Sequence, residues 1–179
     1  VCGMGESRVD EVLGELTSGA NPTLAPYCKS GETRLRISAR AQSEAEAAEM
    51  IASLEARVRE TEVGEHIYFA SDGIENGAYE SCAYAGFRTL ADSGRTVAFA
   101  ESITGGLCAK MLSDIPGASA VLRGSAVTYA TDTKTLILGV DAETVEKYGV
   151  VSEQTAAEMA RGARERFGSD IAVSTTGIA

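Results

Sequence analysis

The stretch Thr96-Val97-Ala98-Phe99-Ala100-Glu101-Ser102-Ile103-Thr104-Gly105-Gly106 constrains this chain more than any other. An apolar run of strand length stops at a hydroxyl, passes a pair of glycines and gives way to a short helical pattern from about Gly105 to Ser113. A hydroxyl on such a strand-to-helix turn faces N–H groups that stabilise negative charge, which suits a nucleophile beside an oxyanion or phosphate site. The same turn also serves simply to let a helix pack closely on a sheet.

Downstream the alternation continues. A Pro116-Gly117 turn leads to an extended run from Val121 to Ala130, then to helices over Lys134 to Leu138, Ala142 to Tyr148 and Ser152 to Phe167. In the last of these Ala156, Met159, Ala160, Ala163 and Phe167 form the buried stripe and Gly168 stops the helix. Ile171 to Thr175 returns as a strand running into Thr176-Gly177, a second hydroxyl and glycine at a strand end. The pattern predicts an α/β sandwich, whose ligands gather beyond the carboxyl ends of the strands.

Upstream lies a smaller α+β unit. Val9, Val12, Leu13 and Leu16 make one stripe of a helix between Gly5 and Gly19, and a turn through Asn21-Pro22 follows. From Glu32 to Arg40 the residues alternate, with Leu35, Ile37 and Ala39 on one face and Arg34, Arg36, Ser38 and Arg40 on the other, as a half-buried strand requires. A capping box, Ser43 answered by Glu46, starts a long helix through Ala47, Met50, Ile51, Leu54 and Val58. His66-Ile67-Tyr68-Phe69 reads as a short strand, and Asp72-Gly73 begins the passage to the second unit. A helix is expected within residues 74–93, where Tyr79, Cys82, Ala83 and Phe87 share a face although Gly77 and Gly86 weaken the pattern.

Composition narrows the function classes. With 26 acidic against 16 basic residues, the net charge of −10 argues against general nucleic-acid affinity, which needs cations to neutralise phosphates. No run of about 18 apolar residues is present to span a membrane, and no signal-peptide pattern opens the sequence. Cys2, Cys28, Cys82 and Cys108 are scattered without a CxxC pair and with one histidine to help, which fits free thiols in a reducing cytoplasm better than a metal site. Val1 opens close to a helical pattern and Ala179 follows a strand-like run directly, so the expectation is a fragment of a longer protein.

If Ser102 is a nucleophile, a base must take its proton. The single histidine, His66, lies in the other unit, which leaves lysine, able to act as a base only when its pKa falls well below about 10.4. Of the four lysines, Lys29 is in the first unit, Lys110 lies two turns along the helix after the serine and points away, and Lys147 sits among Glu143 and Glu146. Lys134, after the strand end Thr128-Tyr129, is the one placed to return to Ser102. From pattern alone Tyr129 reads as core more readily than as a phenol that relays a proton or orients the lysine.

Ala100-Glu101-Ser102-x-Thr104-Gly105-Gly106, Pro116-Gly117-Ala118-Ser119, Val127-Thr128-Tyr129 with Lys134, Leu138-Gly139-Val140, Val151-Ser152-Glu153, Met159-Ala160-x-Gly162 and Thr176-Gly177-Ile178-Ala179 together resemble the C-terminal amidase domain of the CinA family, the competence/damage-inducible proteins. Gly5-Glu6-Ser7, Asn21-Pro22-Thr23 and Arg34-Leu35-Arg36-Ile37-Ser38-Ala39 resemble the KH-like middle domain of the same family. The resemblance implies a KH-like α+β domain over residues 1–73 and the first part of a three-layer α/β amidase domain over 74–179. It implies a nicotinamide mononucleotide amidase in which Ser102 attacks the carboxamide carbon and Lys134 acts as base and then as proton donor to the leaving ammonia, with Tyr129 beside them. Glu101, Thr104, Gly105, Gly106, Thr176 and Gly177 are the implied substrate-binding residues, and N–H groups near Gly105 and Gly106 are the candidates for the oxyanion or the phosphate. No metal or cofactor is implied. The implied partners are a small-molecule nucleotide and further copies of the chain, without nucleic acid or membrane, in the cytoplasm.

The sequence departs from the family pattern at Ile103, where cysteine is usual, at Ser125, where a second glycine is frequent, and from Ala70 to Ala85. The family's Gly-Pro and later strands after Thr176-Gly177-Ile178-Ala179 are absent, from which an isolated 179-residue piece is expected to be weak or inactive. The N-terminal molybdopterin-cofactor-biosynthesis-like domain is missing as well. The alternative reading is a nucleic-acid-binding or domain-packing module built on the KH-like unit, with Arg34, Arg36 and Arg40 touching phosphates. Against it stand the acidic balance, the simpler role of those arginines in solvating a strand face, and the lack of a GxxG clamp.

Overall fold

The computed structural model describes residues 1–29, 31–71 and 81–178 and divides into two units, Val1–Cys82 and Ala83–Ala179. In the first, α1 (Glu6–Thr17) precedes a hairpin of β1 (Thr23–Lys29) and β2 (Glu32–Ser38), followed by α2 (Glu44–Arg59) and a 3-10 turn at Glu62–His66. The strands are antiparallel, with Leu24 opposite Ile37 and Pro26 opposite Leu35. Val9 and Leu13 of α1, Leu24 of β1, Leu54 and Val58 of α2 and Val63 of the 3-10 turn form the core, while Arg34 and Arg36 face water as the alternation requires.

Three features of this unit differ from the sequence expectation. β1 was not foreseen, because Pro26 breaks the apolar rhythm; a two-stranded sheet has only edge strands, and there a proline with no N–H to donate is tolerated. The expected strand His66–Phe69 does not form. Thr61 caps Val63 N–H at 3.2 Å, and the His66 backbone carbonyl and ring are engaged by the main chain of Cys2, so the segment closes as a 3-10 turn. β2 ends at Ser38, two residues earlier than expected, and of the expected capping box the Ser43 half forms, with Ser43 Oγ accepting Glu46 N–H, while Glu46 accepts from Gln42 N–H rather than from Ser43.

The second unit holds α3 (Cys82–Ser93), β3 (Val97–Glu101), α4 (Leu107–Ser113), β4 (Leu122–Val127), α5 (Thr131–Leu138), α6 (Ala142–Tyr148), α7 (Glu153–Phe167) and β5 (Ile171–Thr175), with a 3-10 turn at Ala118–Ala120. Of the helix expected within 74–93, Tyr79 and Gly77 lie outside the described residues, as does the Asp72-Gly73 boundary. The sheet is parallel, in the order β4-β3-β5. β3, in the middle, is covered on both faces. Val97 and Phe99 pack with Leu112, Val121, Phe87 and Leu90, and Ala100 packs on the other side with Leu138, Val140, Met159 and Ala163. The second unit is therefore the three-layer α/β arrangement.

The small residues of β3 and α7 make that side dense. A Cβ on Gly162 would lie 1.9 Å from the Leu138 carbonyl oxygen, so only glycine lets α7 approach the end of α5. Burying a side chain such as Leu138 or Met159 here stabilises the unit by about 1.5–3 kcal/mol. The register pairs Glu101 with both Val127 and Thr175, so Ser102, Thr128 and Thr176 leave the sheet side by side at its carboxyl end. Among the described residues no helix is long and apolar enough to cross a membrane.

Candidate active site

Ser102 follows β3 directly, its N–H donating to the Thr175 carbonyl at 3.0 Å. Thr128, after β4, is tied to the same strand end, its N–H donating to the Glu101 carbonyl at 2.8 Å. Lys134, in the first turns of α5, is fully buried and reaches back to both: Nζ lies 3.0 Å from Ser102 Oγ, 2.6 Å from the Thr128 carbonyl oxygen and 3.4 Å from that of Tyr129. Ser102 itself is 7% exposed. Burial pushes the Lys134 ammonium pKa down, and among the described residues no carboxylate lies within ion-pair distance of it. Carbonyl oxygens can only accept, so two N–H bonds of the amine are committed to them, which leaves the third nitrogen direction for the serine hydroxyl. As a free amine, Lys134 accepts the Ser102 proton in that direction.

The other lysines are placed elsewhere. Lys110 pairs with Asp114 and Lys147 lies over the Tyr148 ring at 4.9 Å. His66 belongs to the first unit, where its Nδ1 meets the Cys2 carbonyl at 3.0 Å.

Glu101, expected among the substrate-binding residues, is fully buried, and five donors fill its carboxylate. Oε2 accepts the Thr104 hydroxyl at 2.7 Å and the N–H groups of Gly106 and Cys108 at 3.0 Å each. Oε1 accepts Ala109 N–H at 3.0 Å and the Ser125 hydroxyl at 3.2 Å. Burial alone pushes this carboxyl pKa up, but the bonds from Ala109, Thr104, Cys108 and Ser125 outweigh it and hold the group below the ordinary carboxylate range. No lone pair is left for a ligand.

This corrects the assignment of Gly105 and Gly106. Gly106, at φ +105°, is the N-cap of α4, and its N–H is spent on Glu101. Gly105 N–H donates to the Ser102 carbonyl, Leu107 N–H to that of Thr104, and Lys110 N–H to that of Gly106. The start of α4 is therefore satisfied internally and offers nothing to an oxyanion or phosphate. Among the described residues, no protein acceptor meets the N–H of Ile103 or of Thr104, the two residues after the serine.

The remaining expected residues sit around the same strand ends. Thr104 Oγ1 is shared between Glu101 and Thr175 Oγ1, at 2.7 Å from each. Thr176 donates its hydroxyl to the Val150 carbonyl at 2.9 Å, bracing the loop before α7. Gly177 packs on Ile103, where an added Cβ would lie 2.8 Å from Ile103 Cδ1. Tyr129 is not core: its side chain is 68% exposed, and its carbonyl is what the lysine touches. Sequence reasoning missed Ser125 and Thr128. Thr128 Oγ1 is the buried side-chain oxygen without a partner among the described residues, and its backbone carbonyl makes the shortest contact of the lysine. The position of both at the end of a strand beside β3 was the available signal.

Fold and site define a class: a small α+β domain followed by a parallel α/β domain that carries a buried serine–lysine pair at the carboxyl end of its central strand. Residues 80–179 match the CinA C-terminal domain, and residues 1–68 match the KH domain of damage-inducible protein CinA. The chain belongs to the CinA family. A CinA-like protein of Gloeobacter violaceus is 43% identical over 176 residues, 98% of this chain and 39% of that protein. The crystal structure of the competence/damage inducible protein CihA from Agrobacterium tumefaciens is 41% identical, with a TM-score of 0.52 over 57% of this chain and 64% of that one. A competence-damaged protein (CinA) superfamily protein of Escherichia coli is 30% identical, with a TM-score of 0.54 over 64% of this chain and 66% of that one. The chain spans about two fifths of the length of the curated relatives it matches.

Proposed function

We propose that the protein is a serine–lysine amidohydrolase that converts nicotinamide mononucleotide to nicotinic acid mononucleotide and ammonia. The observation that carries the reading is the buried Lys134 Nζ, 3.0 Å from Ser102 Oγ and, among the described residues, with no carboxylate within ion-pair distance. In the first half-reaction the free amine takes the Ser102 proton as Oγ bonds to the carboxamide carbon, and the carbonyl π pair moves to oxygen. The N–H groups of Ile103 and Thr104 are the open donors for that oxygen. Collapse breaks the C–N bond, and the Lys134 ammonium returns the proton to the departing nitrogen, releasing ammonia and leaving an ester on Ser102. Water, deprotonated by the same amine, cleaves the ester to the acid and restores the hydroxyl. The Tyr129 carbonyl on the lysine and its solvent-open ring support a role for this residue at the nicotinamide end of the substrate.

The test is ammonia release from nicotinamide mononucleotide by the protein and by Ser102→Ala. The variant is expected to lose turnover by about a thousandfold or more, as removal of a nucleophile does. Turnover undiminished in the variant overturns the serine mechanism, and no release by the protein in its full-length form overturns the substrate.

A further inference from the structure

We propose that Glu101 is a positioning residue: its buried carboxylate, seated on the first turn of α4, holds Ser102 in register with Lys134. The kinetic part of this inference rests on the amide hydrolysis above; the geometric part does not.

Glu101 reaches the nucleophile–base pair by two routes. Through the main chain, its carbonyl holds Thr128 N–H, Thr128's carbonyl holds Lys134 Nζ, and Nζ meets Ser102 Oγ. Through the side chain, its carboxylate gathers Gly106, Cys108 and Ala109 N–H from the turn and α4, the Thr104 hydroxyl from the turn, and the Ser125 hydroxyl from β4. The turn Ser102–Gly106, with two glycines, has little stiffness beyond the Gly105 N–H to Ser102 carbonyl and Leu107 N–H to Thr104 carbonyl bonds, so its shape is set chiefly by this ionised anchor. The arrangement also explains why an acidic residue occupies the end of a strand buried on both faces: the anion that the start of α4 favours is supplied from within the chain, one residue before the serine.

Three variants test this. Glu101→Gln keeps the shape but turns an amide NH2 toward N–H and O–H donors; it is expected to lower kcat roughly 100-fold, the effect of a misplacement of about 1 Å, with KM changed less than about threefold. Glu101→Asp, which keeps the charge, is expected to recover part of that kcat. A rise in KM at constant kcat would make Glu101 a substrate ligand and overturn the proposal, as would unchanged kcat in a folded Glu101→Gln protein.

Should Glu101→Gln fail to fold, Ser125→Ala decides, since it removes one of five donors. Its kcat is expected to fall roughly fivefold at constant KM, the worth of one hydrogen bond of about 1 kcal/mol. Independently of turnover, its acid-unfolding midpoint is expected to move to higher pH, because Glu101 loses a bond that lowers its pKa and is protonated sooner on acidification. If the unmodified protein releases no ammonia, the proposed reaction fails while the midpoint still reads the anchor. An unmoved midpoint overturns the anchor itself.

Discussion

Two strands of this protein meet opposite demands. β2, in the first unit, has one wet face: Arg34, Arg36 and Ser38 are exposed while Leu35 and Ile37 lean on the core, so polar groups on that face have water within reach. β3, in the second unit, is buried on both faces and ends in Glu101 and Ser102, beside Thr128 and Lys134, all of them hidden. There donors and acceptors depend on protein partners, and a buried group that loses its partner is left an orphan at a cost of about 1–3 kcal/mol. Chemistry gathers at the second kind of strand end because a lysine can be kept discharged only where water is excluded.

The largest expected effects separate the two regions most sharply. Lys134→Met is expected to abolish turnover, by about a thousandfold or more, while changing stability by less than about 2 kcal/mol, because relief of the buried amine offsets the Thr128 carbonyl left unpaired. Leu13→Ala in the first unit is expected to cost about 2–5 kcal/mol, as the cavity left by a fully buried leucine does. Urea unfolding of the two variants beside an ammonia assay reads both. A Lys134→Met protein that unfolds as readily as Leu13→Ala would break the contrast, since the lysine would then serve the fold rather than the chemistry.

A pH series sharpens it. The folded-state pKa of Lys134 lies below its unfolded value of about 10.4, so the unfolded chain binds more protons between the two and stability rises with pH across that window. The cost of burying the charge is complete below the folded pKa and gone above the unfolded one. Turnover, which needs the free amine, rises through the same depressed pKa and levels off before 10.4. Glu101 has the opposite signature: its folded pKa is also depressed, but as an acid it contributes stability above its unfolded value, lost as pH falls through the folded one. Lys134→Met should erase the alkaline rise in stability and leave the acid loss in place; an alkaline rise that survives means another group carries it.

The same contrast explains what the sequence made legible. Amphipathic α1, α2 and α7, the capped start at Ser43 and the buried run of β3 follow from period and burial alone, and the pairing of Ser102 with Lys134 follows from counting which bases the chain possesses. β1 was hidden by Pro26, whose place in the hairpin is decided by its pairing with Leu35 rather than by any local preference. The 3-10 turn at Glu62–His66 depends on Cys2, more than 60 residues away in sequence. At the site, Glu101 and Gly106 carry the right chemistry for a ligand, and their engagement with each other is visible only in three dimensions. Tyr129 has the composition of a core residue, and only the path of the chain out of β4 turns it to solvent.

The smallest effect concerns two helix starts. α2 begins in water, where Ser43 Oγ accepts Glu46 N–H at 3.2 Å and the other free N–H groups of that turn are within reach of solvent. At the start of α4 the buried Glu101 carboxylate takes the N–H groups of Gly106, Cys108 and Ala109, while main-chain carbonyls take those of Leu107 and Lys110. Ser43→Ala is therefore expected to cost only about 1 kcal/mol, the usual worth of an exposed cap, because water takes over the released donor. At the start of α4 three N–H groups turn to one buried carboxylate, so Glu101→Gln should cost more by urea unfolding as well as in kcat. Equal costs for the two substitutions would mean that water replaces the bonds of the carboxylate as readily as it replaces the Ser43 cap, and the account of Glu101 as the anchor of that turn would fall with it.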